Sequence, residues 1–172
     1  MDFQILYFIN EFHFEILDKI MILITHMGTK GIFWILVGVI LLLFKKTRKC
    51  GLTVLIALLF SLIVGNILLK NIVARPRPCW IDETINMLIA VPKDYSFPSG
   101  HTFASFAAAV SVFLYYKKAG TAAIILAFLI GFSRLYLFVH FPTDVLSGAV
   151  LGICAAFASR CIVNKIWQKI KI

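Results

Sequence analysis

The sequence is poor in acid: 8 Asp and Glu stand against 17 Lys and Arg, a formal net charge of +9. Such an excess can serve nucleic acid, but here the cations lie in short clusters between apolar runs rather than along one amphipathic face. Membrane topology explains them instead, and no nucleic-acid partner is expected. Cysteine is sparse and unpatterned. Cys50, Cys79, Cys154 and Cys161 lack metal-type spacing, and the last two fall in one expected helix about 10 Å apart along its axis, too far to bridge. No disulfide framework follows. The sequence also lacks a carboxylate cluster or a His/Cys set suited to a catalytic metal. It shows no internal repeat, low-complexity tract or interdomain linker. Met1-Asp2-Phe3 opens without a basic stretch or a small-residue cleavage site, so no cleaved signal peptide is expected. These absences predict one membrane-embedded domain over 1–172, without cofactor or metal.

Apolar residues make up 61% of the chain, against roughly 45–50% in soluble domains, and the mean hydropathy is +0.95. The expected fold is an all-α polytopic membrane helix bundle of about six transmembrane helices, the first one short or interfacial, or five plus an interfacial helix. Glu11, Glu15 and Asp18 at helical spacing suit an interfacial helix over 3–19, with 20–27 as a short first span well under the roughly 20 residues of a full crossing. Within a core of 31–162, spans are expected at 31–44, 52–69, 101–116, 119–138 and 145–162. Between them, Pro76 and Pro78 forbid a helix, and 79–97 forms the longest loop, expected to act as a lid or entry rim.

Lys45-Lys46-Thr47-Arg48-Lys49, Lys117-Lys118 and the Lys165, Lys169 and Lys171 tail fall on one face under this order. Lysine and arginine favour cytoplasmic loops, so that face is expected to be cytoplasmic, with both termini there. The opposite, extracytoplasmic face of the cell membrane then receives three polar stretches.

Around Tyr95-Ser96-Phe97-Pro98-Ser99-Gly100-His101 a proline halts the chain, a serine suits an N-cap and a glycine leaves the backbone open before the apolar run from Phe103. Free amides at such a helix start, with the positive end of its dipole, can cradle an anion, and His101 sits in that first turn. The second stretch is Lys70 with Arg77-Pro78. The third is Ser133-Arg134 with His140 and Asp144, where Pro142 suits the first position of the last helix. An arginine costs about 2.5–3.5 kcal/mol at the bilayer centre, so Arg134 requires an anionic partner. Too few carboxylates are near to neutralise Lys70, Arg77 and Arg134 internally. Three cations beside a helix start suit a multiply charged phosphate. Asp144, one turn beyond His140, can reach back and fix its tautomer.

The spacings Lys-x6-Arg-Pro, Pro-Ser-Gly-His and Ser-Arg-x5-His-x3-Asp, in this order, resemble the type-2 phosphatidic acid phosphatase superfamily, which includes lipid phosphate phosphatases and vanadium haloperoxidases. The resemblance implies a metal-independent lipid phosphatase acting on a lipid phosphate or diphosphate in the bilayer. It implies that His140 attacks phosphorus and becomes a phosphohistidine, that Asp144 orients it, and that His101 protonates the leaving oxygen. Lys70, Arg77, Ser99, the Gly100 amide and Arg134 would hold the phosphate oxygens. Chelator-resistant activity and a bell-shaped pH profile follow. Within the class an undecaprenyl-diphosphate phosphatase is favoured, with phosphatidylglycerophosphate, phosphatidate and lipid A phosphatases as alternatives. A haloperoxidase and a non-catalytic lipid-phosphate binding or transport protein are the readings outside it.

Overall fold

The computed structural model describes residues 2–170, which fold as an all-helical bundle. Helices α1 (Asp2–Asn10) and α2 (Glu15–Met27) lead into a short turn, Thr29–Gly31, and α3 (Ile32–Leu43). Helix α4 (Arg48–Phe60) runs on through a wider, π-type stretch, Ser61–Leu69, into α5 (Lys70–Val73). After the one-turn α6 (Pro78–Ile81) and an irregular loop come α7 (Gly100–Phe113), α8 (Lys117–Tyr136) and α9 (Pro142–Ile170).

By length and composition, Arg48–Ile81, Lys117–Tyr136 and Pro142–Lys169 can each cross a bilayer. The α2–α3 pair adds a fourth candidate, bent by 42° at its break, while α7 is apolar but shorter. A bend of that size keeps the chain travelling in the same general sense, so α2 and α3 form one broken path. The segments expected at 20–27 and 31–44 thus qualify together, by length and composition, as one candidate span. The break has a backbone cause: Lys30 and Gly31 are both left-handed, with φ of 52° and 67°, which no helix continues. Leu36, Ile40, Leu59, Ile67, Phe128, Leu146 and Val150 are exposed on the outside of the bundle, as a surface facing lipid requires.

Helix α7 is the hub, packing most extensively on α9 and α8. Its contact with α9 is close because Gly148 and Gly152 face it. A Cβ on either would come to 2.8 Å from the carbonyl oxygens of Ser99 and Phe103 respectively. Around α7 a core of Trp34, Val54, Leu58, Phe106, Ala108 and Ile130 closes, and Trp34 Nε1 donates to Ser105 Oγ at 2.9 Å. A second core, of Leu6, Ile9, Met21, Tyr136, Phe138 and Phe141, clamps α1 and α2 onto the α8–α9 turn.

Side-chain contacts mark the two ends of the bundle. At one end Lys49 lies over the Trp167 ring and the Tyr116 hydroxyl donates to the Lys46 carbonyl. At the other, Asp2 meets Arg75 and Thr143. Helices α4 and α5 join Lys49 to Lys70 across the bundle, so Asp2 and Trp167 lie at opposite ends. Helix α1 is held at the end away from the basic clusters by its aromatic packing on Phe138 and Phe141. Lys171 lies outside the described residues.

Candidate active site

Helix α5 stops at Ala74, whose left-handed φ of 47° lets its amide donate back to the Lys70 carbonyl at 3.0 Å. The chain then passes irregularly through Arg75 and Pro76 to an extended Arg77, and Pro78 opens α6. This turn sends both arginines back toward the bundle. A second left-handed residue, Phe138 at φ 57°, bends the chain between α8 and α9. It is fully buried beneath Phe3 and Tyr7, contacts that hold a conformation unfavourable for a bulky side chain. His140 follows two residues later.

Lys70, Arg77, Arg134, Gly100, His101 and His140 line one cavity of ≈ 1050 Å³. The polar stretches of the sequence therefore do converge. Arg77 is almost fully enclosed: Nε donates to the Asp94 carbonyl at 2.7 Å, Nη1 to the Val139 carbonyl at 2.6 Å and to His140 Nε2 at 3.1 Å, and Nη2 to Asp94 Oδ1 at 2.8 Å. Arg134 donates through Nη1 to Thr25 Oγ1 at 2.5 Å, while its buried Nε has no partner among the described residues. An unsatisfied buried guanidinium N–H on a cavity wall suits an anion that the cavity can admit.

One expectation is corrected here. Asp94, from the long loop, pairs with both Lys70 and Arg77, so these cations do have a carboxylate. Burial alone would raise the pKa of Asp94, but the Lys70 ammonium and the Arg77 guanidinium override it and hold the carboxyl at about 2.

Asp144 lies behind the cavity wall, fully buried. Its Oδ2 accepts the Phe141 amide at 2.9 Å, the reach of an acid at the third helical position back to the cap. That oxygen is 3.6 Å from His140 Nδ1, and between them sits Ser96, whose hydroxyl donates to Oδ2 and lies 3.4 Å from Nδ1. Arg75 takes the other oxygen, Nη1 to Oδ1 at 2.7 Å, and stacks on the Phe141 ring. Residues Thr25, Arg75, Asp94 and Ser96 were not marked by the sequence motifs. Ser99, expected on the phosphate, is the cap residue of α7, but its hydroxyl bonds Thr102 Oγ1 at 2.9 Å and it does not line the cavity.

Arginine cannot accept a hydrogen bond, so the ring atom facing Arg77 must be an unprotonated Nε2, which leaves the proton on Nδ1 toward Ser96 and Asp144. Burial, then Arg77, Arg134 and Lys70, push the His140 pKa well below its ordinary value, with Asp94 opposing. His140, in the turn between α8 and α9, is thus a neutral imidazole with its lone pair turned into a cationic pocket.

Residues 51–168, which contain all three motifs, match the PAP2 superfamily. The chain belongs to the PAP2 superfamily. An undecaprenyl-diphosphatase of Sulfolobus acidocaldarius is 34% identical over 169 residues, covering 95% of this chain and 81% of that protein. Among solved structures, Aquifex aeolicus LpxE aligns with a TM-score of 0.80 at 28% identity, over 92% of this chain and 93% of that one. A transmembrane PAP2-type phosphatidylglycerolphosphate phosphatase from Bacillus subtilis aligns with a TM-score of 0.78 at 27% identity, over 96% and 85%. As a PAP2 member, this chain is a membrane lipid phosphatase.

Proposed function

We propose that this phosphatase removes the terminal phosphate of undecaprenyl diphosphate at the extracytoplasmic face of the cell membrane. The observation that carries the reading is a cavity in which Lys70, Arg77 and Arg134 meet two imidazoles while another part of its wall is largely apolar, through Ile35, Leu55, Leu58, Leu59 and Leu62. A phosphate group fits the first part and a lipid chain the second. The identity and coverage of the undecaprenyl-diphosphatase relative favour a polyprenyl diphosphate within the class.

In this reading His140 Nε2 attacks the terminal phosphorus and the bond to the bridging oxygen breaks. His101, which takes up a proton as the anionic substrate offsets the cations around it, gives that proton to the departing lipid monophosphate. Water then attacks the phosphohistidine, His101 takes the proton, and inorganic phosphate leaves. Lys70, Arg77, Arg134 and the Gly100 amide hold the equatorial oxygens, where a loose transition state spreads charge. Ser99 supports them indirectly: from the N-cap position of α7 its carbonyl accepts the Phe103 amide at 2.9 Å, and its own amide donates to the Asp144 carbonyl at 3.1 Å. Asp144 steadies the positive charge that the ring acquires on phosphorylation. The whole chain acts as one catalytic domain.

Sidedness rests on the basic end of the bundle, with Lys45–Lys49 residues and Lys117-Lys118 opposite the site. Cys50 and Cys79 are both buried, so neither of these two thiols can report it. A single cysteine at exposed Glu83 should label from outside intact cells and one at exposed Lys46 should not. For the reaction, purified protein should release phosphate from undecaprenyl diphosphate faster than from phosphatidylglycerophosphate, phosphatidate or lipid A. His140→Ala should abolish release from all four. Faster turnover of another lipid would reassign the substrate, and release from none would remove the reading.

A further inference from the structure

Between His140 and Asp144 the direct contact is 3.6 Å, beyond a hydrogen bond. A buried, isolated imidazole N–H beside a buried carboxylate that it cannot reach would leave the tautomer weakly held. The space is filled by Ser96, itself fully buried. Its Oγ lies 3.4 Å from Nδ1 and its hydroxyl donates to Asp144 Oδ2. With Nδ1 protonated, as the Arg77 contact at Nε2 requires, the donors run in one direction: Nδ1–H to Ser96 Oγ, then Ser96 O–H to the carboxylate.

The backbone fixes Ser96 as firmly as its side chain. Its amide donates to the Arg75 carbonyl at 2.9 Å, and the guanidinium of the same Arg75 holds Asp144 Oδ1 at 2.7 Å. Arg75 also donates to Thr143 Oγ1 at 2.7 Å and to Asp2 Oδ2 at 3.0 Å, which anchors it from the α1 side. Serine and carboxylate are thereby referred to one residue, and the imidazole is referred to both.

We propose that Ser96 is a positioning residue of the reaction, a hydroxyl relay that couples Asp144 to His140 and keeps the attacking Nε2 lone pair aimed into the cationic pocket. The inference rests on His140 being the nucleophile. Ser96 does not line the cavity and touches no substrate, so its effect passes through the ring. A charge-bearing hydrogen bond lost from the phosphorylated ring slows the chemical step without weakening the grip on phosphate, which belongs to Lys70, Arg77 and Arg134.

The test compares full-length Ser96→Ala, Ser96→Thr, Asp144→Asn and His140→Gln proteins in detergent, measuring kcat, KM for undecaprenyl diphosphate and competitive inhibition by inorganic phosphate. Ser96→Ala is expected to lower kcat on the order of 10–100-fold, with KM and the phosphate inhibition constant within about twofold of the parent. Ser96→Thr, which keeps the hydroxyl, should recover most of the loss. Unchanged kcat in Ser96→Ala, with His140→Gln inactive, would overturn the relay and leave the nucleophile in place. A fall in kcat accompanied by weakened phosphate inhibition and no recovery in Ser96→Thr would also overturn it, because it would mean a packing role. Full activity in His140→Gln would defeat the proposed function itself.

Discussion

Arg77 Nη1 lies 3.1 Å from His140 Nε2, so the cation that would grip the phosphate also covers the lone pair that would attack it. This contact keeps Nε2 unprotonated, and an arriving phosphate must draw the guanidinium toward itself to expose the nitrogen. Arg77→Lys should not preserve function. One ammonium cannot serve Asp94, Val139 and His140 from a single planar fork. The expected loss in kcat/KM is on the order of 100–1000-fold, similar to removing one donor from an oxyanion site. Steady-state kinetics of the variant checks it, and a loss below about tenfold would show that Arg77 is chiefly structural.

The pH profile follows from the same neighbourhood. Burial first, and then the surrounding cations, hold the His140 pKa well below 6.5. A group with a lowered pKa stays neutral as pH falls until that lowered value is reached. The free enzyme should therefore keep its nucleophile at pH 6.5, and the acid limb of kcat/KM should lie beneath that pH. Asp94, held at about 2, stays ionised across the same window and does not contribute the limb. An acid limb at or above 6.5 would contradict a buried neutral His140.

Gly28, in the break between α2 and α3, is where the first helices touch the chemistry. A Cβ there would come to 2.7 Å from His101 Cδ2 and 2.8 Å from Ile130 Cγ2. Real Cβ atoms do not approach so closely, so the imidazole must shift. Gly28→Ala is expected to lower kcat by up to about 100-fold, the scale for misplacing a reacting group by about 1 Å, while the thermal midpoint changes little. Equal losses of stability and activity would indicate a general packing defect instead.

What the sequence disclosed and what it withheld divide along physical lines. Apolar runs locate the helical segments because a bilayer admits little else, and the three polar motifs locate the site because charges at helix ends need partners. The break between α2 and α3 falls in the gap expected between 27 and 31, but its left-handed backbone at Lys30 leaves no hydropathy signal. Arg75 and Ser96 stand beside motif residues, yet their importance depends on the left-handed turn at Ala74 and on a loop folding back, both tertiary facts. Scarcity gave one usable hint for Asp94: in a chain with 8 acids, a carboxylate in the loop joining two cationic motifs had few other cations to meet.

Asp94 then raises a question of competition. Its carboxylate bonds both Lys70 and Arg77, two of the three cations assigned to the phosphate, and does so from a side chain that is 57% exposed while theirs are 9% and 2%. The exposed partner is the freer to move, so a phosphate entering the cavity should displace Asp94 as it draws Arg77 off His140. Asp94→Asn removes the competing charge and keeps the shape. Because the carboxylate is more than half exposed, the gain is held to about 1 kcal/mol, so inorganic phosphate should inhibit roughly fivefold more strongly. The reverse result, weaker inhibition, would mean that Asp94 organises Lys70 and Arg77 for the ligand instead of opposing it. Competitive inhibition measured at fixed ionic strength separates the two, since general screening would act on parent and variant alike.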